Sequence, residues 1–158
     1  MPDSTLLAYL LSAAASLSGY PAPAVEDLPP IVRMSVAEMR REVCGDGQRS
    51  CANLAALFDS DGRRILLRDD LDLDNPGDNS FLVHELVHVL QHRQRGERTF
   101  AGCHETLRSE REAYLVQNRY LKREGAFLRF GEGLVFMRCA DVQPTSASGE
   151  VTLDYVGQ

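Results

Sequence analysis

The residues best suited to chemistry stand together at His84-Glu85-Leu86-Val87-His88. On a helix, side chains four apart lie one above the other, so two imidazoles face one point with a carboxylate alongside. This is the H-E-x-x-H arrangement, in which the histidines hold a zinc ion and the glutamate takes a proton from metal-bound water. Off the histidine face, every position from Leu82 to Leu90 is apolar: Leu82, Val83, Leu86, Val87, Val89 and Leu90. A helix of that composition is expected to be buried, and buried imidazoles beside a carboxylate need a group that neutralises and bonds them. A metal ion does both. The alternative is a core helix whose histidines bond backbone carbonyls and whose Glu85 pairs with an arginine.

His92 continues the stripe. It lies about 12 Å along the axis from His84, whereas zinc ligands all sit about 2.0 to 2.1 Å from one ion. His92 is therefore expected at the exposed end of the helix, and a third ligand must come from elsewhere. The segment TLRSEREAYLVQNRYL offers two glutamates. Helical phase places Glu110 with Cys103, Leu107, Tyr114, Gln117 and Leu121, and Glu112 nearer Glu105, Arg108, Ser109, Arg119 and Arg123. Glu110 is expected to point inward and Glu112 outward, with His104 as a lesser candidate ligand. The competing reading makes both glutamates surface charges paired with arginines.

HELVH on one helix, followed by Glu110-Arg111-Glu112-Ala113 on the next, resembles the gluzincin group of zinc metallopeptidases. From about Gly19 to Arg123 the layout is also similar to a set of short, uncharacterised bacterial zincin-like domains. The resemblance implies His84, His88 and Glu110 as ligands of one Zn2+ ion, Glu85 as the general base, and hydrolysis of peptide bonds in a peptide or protein substrate. It further implies a substrate lying as an extended strand against an edge strand, for which Arg63 to Arg68 is the candidate. Several gluzincins carry, just after the alanine, an acidic residue that orients a ligand histidine; this chain has Tyr114 there. Asp69, Asp70, Asp72, Asp74 and Asp78 are candidates for that orienting role. Tyr114, Tyr120, Tyr155 or an arginine are candidates for stabilising an oxyanion. The alternative function is a non-catalytic zinc-stapled binding or structural domain.

The 158 residues suit one domain, 1–158, without internal repeats. A first helix is expected from Thr5 to Leu17, capped by Ser4. No Lys or Arg precedes its apolar run, and Asp3 stands where a signal peptide carries positive charge. Ile31 to Met34 reads as a strand, and Ser35 caps a helix from Val36 to Val43 with Glu38 closing a capping box. Asp59-Ser60-Asp61-Gly62 turns a β-hairpin whose second strand is Arg63 to Arg68. The histidine helix is expected to be capped by Asp78, Asn79 or Ser80 and to end near Gly96. The ligand helix runs from about Glu105 to Arg123, closed by Gly125, and the runs LVFMRC and EVTLDYV beyond it are strand-like. The fold class is α+β: a minimal zincin-like domain, with a small antiparallel sheet packed on the active-site helix and on the ligand-bearing helix that follows.

Composition narrows the partners. A net charge of -6 excludes the basic surface that nucleic-acid binding requires. No apolar run is long enough to span a bilayer. The loop CGDGQRSC can close a local Cys44–Cys51 bridge, leaving Cys103 to pair with Cys139. That pairing implies export to the periplasm or beyond; four reduced thiols in a cytosolic chain are the alternative. No feature of the sequence sets an oligomeric state.

Overall fold

Asp3, not Ser4, starts the first helix: its carboxylate accepts the Thr5 N–H, and α1 runs Ser4–Ser18. A computed structural model describes residues 2–45 and 53–140 of the chain. After a 3-10 turn at Val25–Asp27, strand β1 (Ile31–Met34) leads into α2 (Val36–Cys44). The Ser35 hydroxyl accepts from the Glu38 N–H while the Glu38 carboxylate accepts from the Ser35 N–H, forming the expected capping box. The hairpin follows as β2 (Ala56–Asp59) and β3 (Arg64–Arg68).

The sheet is mixed, in the order β1-β3-β2. β3 pairs parallel with β1 and antiparallel with β2, so the antiparallel sheet expected from sequence is corrected, and so is the edge role given to Arg63–Arg68. Ile65, Leu66 and Leu67 are consecutive and all buried, the pattern of a strand enclosed on both faces, and this belongs in the middle of a sheet. Among the described residues, β1 and β2 are the edges.

α3 spans Pro76–Arg95 and starts earlier than expected. Asn75 caps it through the Gly77 N–H, with Pro76 at the first helical position, where its missing N–H costs nothing. Asp78 instead accepts the Asp72 N–H, while Asn79 and Ser80 are buried. Gly96 ends α3 as expected, and a 3-10 segment, Gly96–Phe100, leads to α4 (Gly102–Arg123). α1, α3 and α4 pack on one another, and β2 packs on α3. Every apolar position of α3 between Leu82 and Leu90 is buried in this core, together with Leu10 and Leu11 of α1 and Ala113, Val116 and Tyr120 of α4. Each fully buried leucine stabilises the fold by about 1.5 to 3 kcal/mol.

Beyond α4 the chain returns along it as a strap. Asn118 bonds both backbone groups of Phe130, accepting from its N–H and donating to its C=O at 2.9 Å each. The Phe130 ring packs on Phe81, and Cys139 is disulfide-bonded to Cys103 at the start of α4. LVFMRC, expected as strand-like, forms a 3-10 turn at Glu132–Phe136 instead. The run EVTLDYV lies outside the described residues, as does Cys51; Cys44 is a buried free thiol.

Candidate metal centre

Because α3 and α4 pack side by side, the inward stripe of one meets that of the other. His84 and His88 of α3 face Glu110 of α4. The Glu110 carboxylate oxygens lie 3.2 Å from His84 Nε2 and 3.2 Å from His88 Nε2, and the two Nε2 atoms are 3.1 Å apart. Two donors about 2.0 to 2.1 Å from a tetrahedral zinc stand roughly 3.4 Å apart, and these separations lie within a few tenths of an ångström of that. Two imidazoles and a carboxylate are also the donor chemistry that zinc accepts. Among the described residues, these three form the group able to hold a metal ion.

The cluster is secluded: His84, Glu85 and His88 are 5%, 7% and 4% exposed. Burial disfavours charge on His88, yet the Glu110 carboxylate bonded to it outweighs that cost and its pKa is pushed up to about 9. Burial would likewise raise Glu110, but His88 and the hydrogen bonds from both imidazoles hold its carboxyl well below the usual carboxylate range. Burial pushes the Glu85 carboxyl up, against the opposing pull of His84 and His88. One Glu85 oxygen accepts the Phe58 N–H at 2.7 Å. Just before β2, Ala55 accepts from Arg68, so alternation along the antiparallel pair turns the Phe58 N–H away from β3 and toward α3.

The far sides of both imidazoles are fixed by amides, which the sequence did not single out. His84 Nδ1 is 3.0 Å from Gln117 Oε1, and Gln117 Nε2 donates to Ser80 Oγ, whose hydroxyl donates to the Gly77 carbonyl. His88 Nδ1 is 2.8 Å from Gln91 Oε1, and Gln91 Nε2 donates to the Ser109 carbonyl and to Glu112. In each case the amide oxygen can only accept, so each Nδ1 carries a hydrogen and each Nε2 is turned toward the cluster. The orienting groups are therefore not the loop carboxylates considered above: Asp70 pairs with Arg68 and Asp78 caps Asp72. Gln117 did fall on the Glu110 stripe, and that phase was the one available clue.

Other expected residues sort as follows. Glu112 is only half outward, accepting from Tyr20 and Gln91, and Ser109, placed on its outer side from sequence, is fully buried with its hydroxyl on the Thr99 carbonyl. His92 sits away from the cluster, its ring against Phe58 and its Nε2 at Glu97. His104 is exposed. Tyr120 is buried and donates to Asn79, so it does not face the cluster, and Tyr155 lies outside the described residues. Tyr114 packs its ring edgewise on His84 with centroids 4.4 Å apart.

An α+β chain with a His/His/Glu cluster joining two helices is what fold and site define. Over residues 6–140 it matches the model described as Domain of unknown function (DUF6647), and it belongs to that family. No curated protein and no solved structure gives a significant match.

Proposed function

We propose that the chain is a zinc-dependent hydrolase of peptide bonds, with a gluzincin-like site in which His84, His88 and Glu110 hold one ion. The observation that carries this reading is the approach of two imidazole Nε2 atoms from one helix to 3.1 Å of each other, each 3.2 Å from one oxygen of the Glu110 carboxylate on the next, with Glu85 in the same turn as the histidines. A divalent ion so held supplies Lewis acidity to a water molecule and to an amide carbonyl. Glu85 accepts a proton from the attacking water and returns it to the leaving amine. Gln91 and Gln117 keep the imidazoles facing inward, and the Phe58 N–H fixes the Glu85 carboxylate. An extended peptide would lie along β2, the edge strand that already touches Glu85, and Tyr114, whose ring packs on His84, would be the donor to a developing oxyanion. The Cys103–Cys139 bridge supports an exported location. Among the described residues no helix is long and apolar enough to cross a membrane.

Glu85→Gln is the direct test. Zinc content by elemental analysis should stay at one ion per chain, while cleavage of a mixed peptide library should fall by about 10² to 10⁴-fold. Unchanged cleavage in that variant would remove Glu85 from the chemistry. The seclusion of the cluster favours a second reading, a zinc staple that only joins α3 to α4. On that reading the wild-type chain cleaves nothing and unfolds on chelation.

A further inference from the structure

Glu112 was expected to point outward, and the competing reading paired it with an arginine. Its nearest arginine nitrogen, Arg95 Nη2, is 3.6 Å away, too far for a hydrogen bond. Its shortest contact runs inward: Gln91 Nε2 donates to Glu112 Oε2 at 2.7 Å, within the range of a charge-assisted bond. Tyr20 donates to the same oxygen at 2.9 Å from the other side. Gln91 is fully buried, and its other partners are the Ser109 carbonyl and His88 Nδ1. A continuous path thus runs from a partly exposed carboxylate through one amide to a ligand imidazole.

We propose that Glu112 is a positioning residue for the metal centre, acting on His88 through the Gln91 amide. This rests on the reading that His84, His88 and Glu110 hold a metal. An amide can present either its oxygen or its NH2 group to a neighbour, and Glu112 together with the Ser109 carbonyl determines which. Both partners only accept, so the NH2 group must face them and the oxygen must face His88. The carboxylate also polarises the amide, making that oxygen a stronger acceptor and the imidazole a better donor toward a metal. Among the described residues His84 has no such charge behind it: its amide ends on the Ser80 hydroxyl and a backbone carbonyl. The two histidines are therefore unequal, with His88 the electronically tuned one. Carboxylates commonly orient ligand histidines directly; here the carboxylate stands one amide further out.

The test uses the full-length protein, with zinc affinity measured by chelator competition and the visible spectrum of the cobalt(II) form as a second readout. Glu112→Leu should weaken zinc binding about tenfold and shift the cobalt bands. Gln91→Leu should do at least as much, and adding Glu112→Leu to it should change nothing further, since the path is already cut. Glu112→Gln, which keeps an acceptor but no charge, should recover part of the affinity. Additive effects of Gln91→Leu and Glu112→Leu, or an unchanged affinity and cobalt spectrum in Glu112→Leu, would overturn the proposal. Should Glu112→Leu fail to fold, Glu112→Gln decides by itself: wild-type zinc affinity with a wild-type cobalt spectrum overturns it. A wild-type chain that binds neither zinc nor cobalt overturns the metal reading itself, a result separable from a metal-binding chain indifferent to Glu112.

Discussion

Two imidazole nitrogens 3.1 Å apart, each 3.2 Å from one partly buried carboxylate, must share a proton or a cation, because bare lone pairs at that distance repel. The same force that lifts the His88 pKa is available to a metal ion, which would take the place of the proton. His84, Glu85, His88 and Glu110 were legible in the sequence because helical spacing is local and because phase separated Glu110 from Glu112. Gln91 and Gln117 were not, since a neutral amide on a helix has no distinctive spacing and its role is set by the facing helix. Nor was the way Tyr114 is held. Gly131 lies against the Tyr114 ring with φ at 79°, and a Cβ there would run into the ring carbons. Gly131→Ala therefore combines a strained backbone with a clash and is expected to cost about 1 to 3 kcal/mol. A lowered urea midpoint would show it, and an unchanged one would mean that the strap does not press on Tyr114.

Among the elements, the hairpin connects the sheet to the site, because β2 carries the N–H that Glu85 accepts. Its existence was legible from Asp59-Ser60-Asp61-Gly62, but its geometry was not. The left-handed position is Arg63, at φ 50°, and a side chain at Gly62 would displace the Asp59 carboxylate. The place of β3 in the sheet was hidden for another reason: β1 joins it in parallel from some thirty positions upstream in the chain, and no local pattern encodes that pairing. Asp59 accepts the Gly62 N–H at 2.8 Å and pairs with Arg64 at 2.9 Å, bonds that outweigh its partial burial and lower its pKa. A carboxyl lowered by folding stabilises the protein above its unfolded value of about 3.9, and that contribution is lost as pH falls through the folded pKa. Asp59→Asn should therefore cost roughly 1 kcal/mol at pH 6, and the gap should close as the pH drops below about 4. Urea titrations of both proteins across that range measure the difference; a gap that persists at low pH would assign the cost to shape and not to charge.

For the whole molecule, the question is what keeps the strap on α3 and α4. Two attachments meet at Phe130, the Asn118 bonds and the ring contact with Phe81, and the Cys103–Cys139 bond lies further along, beyond the Gly131 contact with Tyr114. The first two are local and modest, worth about 1 kcal/mol per hydrogen bond and about as much for an aromatic pair. The disulfide acts differently, by restricting the unfolded chain across a sequence separation of 36 residues. Chain-entropy arguments give about 3 to 4 kcal/mol for a loop of that size. Phe127, Val135 and Phe136 of the strap are exposed, so among its apolar side chains burial rests chiefly on Leu134, with Phe130 half-buried. Replacing both cysteines by serine should then lower the unfolding free energy by about 3 kcal/mol, read from urea unfolding of the metal-free protein. Because His84, His88 and Glu110 are placed by the packing of α1, α3 and α4, zinc affinity should fall by much less than stability does. A parallel collapse of both would mean that the strap, through Gly131 and Tyr114, is part of what holds His84 in place.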